Sequence, residues 1–238
     1  MDSIKYFKNE KSFKGKNIII TGITGGIGSK VCDALIKLGA NVIGVCRNEK
    51  KFIDKYSQYL NSKSFSLDYE VANFENPALI TKAIKSIMMK FKGRLDSLIM
   101  CHGQFRAGKM METGVDIFDM TISVNVRSCL HWMSLATPFL KISKGNIVAL
   151  SSVDARIPVR DSFVNSVSKS MLNSLIECTA LELAPFKVRV NAVAPGITNT
   201  NFRVSEVFDE KDNLDYLDKM GVYFLLNKEV IDTLNYII

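Results

Sequence analysis

The 238-residue sequence predicts an α/β fold, a doubly wound parallel sheet of six strands with helices on both faces. Three observations predict it. Short apolar runs alternate along the chain with longer segments of helical periodicity. The first apolar run opens into a glycine-rich turn that begins a helix. No repeat, linker or low-complexity tract interrupts the alternation, so a single domain is expected.

Strands are expected over 17–20, 41–45, 64–67, 96–101, 146–151 and 188–194. All but 64–67, which reads Ser-Phe-Ser-Leu, contain two or more of Ile, Val and Leu, as strands covered on both faces require. Helices are expected over 27–38, 49–60, 77–91, 116–141 and 162–184. Each is long enough for a right-handed crossover between parallel strands. Pro77 after Asn76 is good N-terminal chemistry, because proline lacks an N–H that the first helical turn cannot use and asparagine can cap that turn. Pro185 ends the fifth helix before the last strand. Residues 1–15 read as a lysine-rich leader, 16–238 as the domain, and 200–238 as a variable lid with an amphipathic C-terminal helix over 228–238.

Lys and Arg number 31 against 24 Asp and Glu, a net charge of +7. That surplus suits anionic partners such as a nucleotide phosphate. The lysines are dispersed and not interleaved with aromatics, so nucleic-acid binding is not expected. No apolar run is long enough for a membrane span. Residues 1–16 carry Asp2 and Glu10 without an apolar core, unlike a signal peptide, and the first arginine is Arg47, unlike a mitochondrial presequence. A cytoplasmic address is expected, with mitochondrial import lacking a recognisable presequence as the alternative. The five cysteines form no C-x-x-C pair, and His102 and His131 are well separated, so reduced thiols and no metal site are expected.

The sharpest motif is Thr21-Gly22-Ile23-Thr24-Gly25-Gly26-Ile27-Gly28, between the first strand and the first helix. Glycines serve where the chain turns tightly and where a side chain would hold a pyrophosphate away. The helix N-terminus then presents N–H groups to the anion. This is Rossmann-type chemistry.

The Gly-x-x-x-Gly-x-Gly spacing resembles the short-chain dehydrogenase/reductase family, and the resemblance runs from about Lys14 to Thr200. It covers Asp68 after the third strand, Asn125 in Val124-Asn125-Val126, and Ser151-Ser152 after the fifth strand. Lys169 and the run Asn191-Ala192-Val193-Ala194-Pro195-Gly196 with Thr200 follow in family order. The resemblance implies a nicotinamide cofactor held by Thr21, Gly22, Thr24, Gly26, Ile27, Gly28, Asp68, Gly103, Lys169, Pro195, Gly196 and Thr200. At the end of the second strand Cys46 occupies the acidic position that would hold a ribose diol, and Arg47 follows. An arginine welcomes a 2′-phosphate, so NADP is expected over NAD.

The resemblance also assigns a catalytic set of Asn125, Ser152, a tyrosine and Lys169, and here the sequence departs from it. The residue four before Lys169 and thirteen after Ser152 is Asn165, and no tyrosine lies between Tyr69 and Tyr216. An amide does not titrate usefully and cannot act as the general acid. Met100-Cys101-His102-Gly103 replaces the family's Asn-Asn-Ala-Gly, and the chain stops before the family's last strand. His102 is the candidate substitute acid, Asp154 a weaker one and Cys101 a remote nucleophile. The expected function is therefore a nucleotide-binding, catalytically inactive structural or regulatory subunit of a larger assembly. A protein partner is expected on the C-terminal sheet edge, and a homodimer through 116–141 and 162–184 is a further possibility. The alternative is an NADP-dependent oxidoreductase acting on a carbonyl or alcohol with a non-tyrosine proton donor.

Overall fold

The computed structural model describes residues 13–200, apart from 61, 63, 197 and 199. Residues 1–12 of the expected 1–15 leader, and the lid and helix beyond 200, lie outside the described residues. Packing is already established at Phe13, which is buried beside the first helix and strand.

The chain alternates β1 (Asn17–Thr21), α1 (Gly26–Lys37), β2 (Asn41–Cys46), α2 (Glu49–Leu60), β3 (Ser66–Val71), α3 (Pro77–Lys90) and β4 (Ser97–Met100). It continues through α4 (Val115–Ile122), α5 (Ser128–Ser143), β5 (Asn146–Leu150), α6 (Phe163–Leu183) and β6 (Arg189–Val193). All strand pairs are parallel and the sheet order is β3-β2-β1-β4-β5-β6. The order reverses between β1 and β4, and a ligand crevice opens at such a reversal.

Period-two alternation divides the apolar residues between two layers. Ile18 and Ile20 join Ile99 and Val148 against Val31 and Leu35 of α1 and Phe52 and Tyr56 of α2. Ile19 joins Leu98 and Ile147 against Ile84 of α3, Trp132 of α5 and Leu172 of α6. Each fully buried Ile or Leu contributes roughly 1.5–3 kcal/mol, and the inner strands have no solvent-facing side to dilute that gain.

Asn76 Oδ1 accepts from the backbone N–H groups of Ala78 and Leu79 at 3.0 and 3.3 Å, with Pro77 opening α3. Two expectations need correction. The third strand runs over Ser66–Val71 rather than ending at 67. Asp68 and Glu70 made it look finished, but this is an edge strand whose carboxylates meet Lys90 of α3 at 2.9 and 2.8 Å. The single helix expected over 116–141 is divided into α4 and α5 by a five-residue π turn, Ser123–Arg127. A π turn inserts a residue into the helical repeat and often marks a functional position.

Candidate active site

The carboxyl ends of β1 and β4 carry the glycine loop and His102. Gly22 has φ +67°, and a Cβ there would meet the His102 backbone nitrogen at 2.6 Å. A Cβ on Gly28 would meet the Gly22 carbonyl oxygen at 2.5 Å. These two glycines let the loop, α1 and β4 close together. Gly26 differs: it is exposed, and a Cβ there would run into the Thr200 side chain, which lies over the loop. No side chain caps α1, so its N-terminal N–H groups and positive dipole end face outward beside exposed Gly25 and Gly26. Thr24 and Ile27 flank them, half-buried. Such a cradle fits a pyrophosphate.

Arg47 is exposed just beyond β2, after buried Cys46. Asp68 does not join this site. It lies in the middle of β3, opposite Ile43, and its carboxylate pairs with Lys90. Ala72 continues the ladder past β3 by bonding to the Cys46 carbonyl at 3.0 Å, and exposed Asn73 is the polar residue that follows at the site end.

His102 is buried, with both ring nitrogens engaged. Nδ1 lies 2.5 Å from the Thr21 hydroxyl and Nε2 lies 2.6 Å from the Ser128 hydroxyl, while Phe74 stacks on the ring. Burial, with Lys169 and then Arg47 nearby, pulls its pKa down to about 3. A neutral imidazole already bonded at both nitrogens braces β1 against α5. It is not poised to give up a proton, which corrects the expectation of a substitute acid. Burial likewise pushes the Cys101 thiol up to about 12, so it is no nucleophile at neutral pH. His131 bonds Thr81 between α3 and α5, outside the site. Among the described residues no three His, Cys, Asp or Glu side chains gather as metal ligands.

Asn125 sits inside the π turn. Its Oδ1 accepts from the Gln104 N–H at 2.8 Å, and its Nδ2 donates to the Gln104 carbonyl and the Ser168 hydroxyl, both at 3.0 Å. The amide thus clamps the loop after β4, at Gln104 next to Gly103, to α6. Ser168 in turn donates to the Asn165 carbonyl at 2.9 Å.

Ser152 follows β5 and is half-buried. Its Oγ accepts from the Asp154 N–H at 3.2 Å and caps a short 3-10 turn, Val153–Ala155. Asn165 and Lys169 lie one turn apart on α6 and share a face. Asn165 Nδ2 donates to Asp154 Oδ2 at 2.8 Å in an enclosed setting, and Asn165 Oδ1 has no partner. Lys169 Nζ donates to the Leu150 carbonyl at 2.7 Å. Burial holds the Lys169 pKa below the ordinary lysine value, while Cys129, Cys101 and Asp154 oppose that shift. Pro195, buried beyond β6, accepts from the Val153 N–H at 3.1 Å, and the Gly196 carbonyl accepts from the Thr198 hydroxyl at 3.1 Å. The structure therefore brings Ser152, Asp154, Asn165 and Lys169 to one end of β5 and α6. The Asp154 to Asn165 bond went unforeseen in the sequence, where only the nearness of Asp154 to Ser152 pointed to it.

A glycine cradle at the sheet's switch point, with serine and lysine on the next strand and helix, defines a dinucleotide-binding oxidoreductase scaffold. The chain belongs to the short chain dehydrogenase family, which it matches over residues 16–211. It is 32% identical over 201 residues to the human dehydrogenase/reductase SDR family member 2, mitochondrial, covering 82% of this chain and 69% of that protein. A gluconate 5-dehydrogenase from Burkholderia cenocepacia, solved with NADP and tartrate, shares the fold at TM-score 0.84 and 20% identity, over 94% of this chain and 88% of that one. A 3-ketoacyl-(acyl-carrier-protein) reductase from Brucella melitensis, solved with NADH, does so at TM-score 0.82 and 21% identity, over 94% and 91%.

Proposed function

We propose that this chain is an NADP-binding member of the family that does not carry out the family's carbonyl–alcohol interconversion, and that it serves as a structural or regulatory subunit. The observation that carries this reading is Asn165. It stands where the family's proton-donating tyrosine is expected, and its NH2 is committed to Asp154. Neither half of an amide titrates usefully near neutral pH. Lys169, which would lower a phenol's pKa, has no phenol one turn away to act on.

NADP fits the cradle. Thr21, Gly22, Thr24, Gly26, Ile27 and Gly28 would hold the pyrophosphate end and Arg47 the 2′-phosphate. Gly103, Lys169, Pro195, Gly196 and Thr200 would surround the nicotinamide end. When bound, the nicotinamide supplies a hydride donor or acceptor. Within the protein, Ser152 offers a hydroxyl to orient a ligand, Lys169 a positive charge, and Asn125 a rigid support for the loop.

Apolar surface supports the subunit role. Leu130 on α5 and Met171 and Leu181 on α6 are exposed, Leu181 at 78%, which suits pairing through these helices. Among the described residues β6 is one of the two edge strands, the one at the C-terminal end of the sheet order, and a template for a further partner. The free thiols suit a cytoplasmic address. No helix among the described residues is long and apolar enough to cross a membrane.

The alternative is an NADP-dependent oxidoreductase with another proton donor. It rests on Asp154, whose carboxylate is bonded directly to Asn165. Purified protein should bind NADPH and leave it unoxidised with a panel of ketones and aldehydes. Oxidation abolished by Asp154→Asn and preserved in His102→Gln would establish the alternative. Proteins that co-purify under mild conditions would test the subunit role.

A further inference from the structure

We propose that the site takes a neutral ligand bearing an N–H or O–H hydrogen-bond donor, a primary carboxamide being the simplest, in preference to the ketone of the same shape. The inference rests on the reading that Asn165 replaces a donor. Asp154 Oδ2 accepts from Asn165 at 2.8 Å. A carboxylate oxygen only accepts, so the NH2 must face Asp154 and the amide oxygen must face away. That oxygen is buried and has no partner.

Where a phenol would donate to a carbonyl, this protein therefore presents an acceptor. The hydrogen-bond polarity of the position is reversed. Ser152 keeps the complementary half. Its Oγ accepts from the Asp154 N–H, and its own O–H can still donate to a ligand carbonyl. Asn125 takes no part, since its amide is committed to Gln104 and Ser168. A carboxamide answers both groups, with its carbonyl toward Ser152 and its NH2 toward Asn165 Oδ1. A ketone answers only the serine and leaves the buried acceptor unpaired, and sites built around such a group discriminate strongly against the analogue that lacks its partner.

Isobutyramide and 3-methylbutan-2-one share one skeleton, with NH2 in one where the other has CH3. Their affinities for the full chain saturated with NADP, measured by ligand-observed NMR titration, test the inference. The amide should bind about tenfold or more tightly than the ketone. Asn165→Leu should erase the difference, Asn165→Ala should do the same with less added volume, and Ser152→Ala should weaken both ligands together. NADP affinity and thermal unfolding verify that each variant is folded. Equal binding, a preference for the ketone, a preference that survives both Asn165 variants, or binding of neither ligand with NADP bound would each overturn the inference. The underlying reading fails separately, through oxidation of NADPH by the ketone.

Discussion

Asn165 on α6 and Asp154 in the turn after β5 are joined by a buried 2.8 Å hydrogen bond, and the bond leaves the amide oxygen of Asn165 as an unpartnered acceptor. Removing one member of such a pair should cost more than removing both. Asp154→Leu strands the Asn165 NH2 and should destabilise the fold by about 1–3 kcal/mol. The Asp154→Leu, Asn165→Leu double variant should recover most of that loss, because apolar groups replace both partners. Urea unfolding of the four proteins in the cycle measures the coupling, and strictly additive losses would contradict it.

His102 should give the stability curve an acid limb. Its pKa is about 3 in the fold against an ordinary 6.5. Between those values the unfolded chain binds more protons, so stability is complete above about 6.5 and falls as the pH drops toward 3. The loss reaches roughly 3 kcal/mol by pH 4. Denaturant unfolding of the wild type and His102→Gln at pH 7 and pH 4 should show the smaller pH dependence in the variant.

The glycines of the loop should separate by what surrounds them. At Gly22 an added Cβ meets backbone, at 2.6 Å, in a residue with φ +67°. Gly22→Ala should therefore lower stability by about 2 kcal/mol or more. Gly26 is exposed and has no positive φ, and an added Cβ would press on Thr200 Cγ2 rather than on the backbone of the sheet. Gly26→Ala should lower thermal stability less than Gly22→Ala does while losing about tenfold in NADP affinity by calorimetric titration.

Arg47 should decide between the two nicotinamide cofactors. It is exposed beyond β2 with no acidic residue beside it in the sequence. Arg47→Glu should weaken NADP at least tenfold and leave NAD within a few-fold, as direct titrations of both would show.

Much of this was readable from residues alone. Apolar runs marked the inner strands because both faces are buried, and Asn76-Pro77 marked the start of α3 because capping is local chemistry. The glycine loop and the alignment of Ser152, Asn165 and Lys169 rested on spacing, which the fold preserves. What escaped depended on tertiary partners. Asp68 read as a site residue because nothing local reveals Lys90 across the crossover. The π turn at 123–127 escaped because helical periodicity carries no mark of Asn125 clamping Gln104. His102 read as a candidate acid because its flanking sequence does not disclose Thr21, Ser128 and Phe74 around the ring.

On the function proposed above, an amide at position 165 leaves the scaffold without its proton donor. The most direct measurement is the rate of NADPH oxidation with a panel of ketones and aldehydes by the wild type and by Asn165→Tyr, both saturated with cofactor. The wild type should show no turnover above the protein-free background, and the tyrosine variant should gain activity on the order of 10²-fold over it. Wild-type turnover at about 1 s⁻¹ or faster, an ordinary enzymatic rate, would contradict the account.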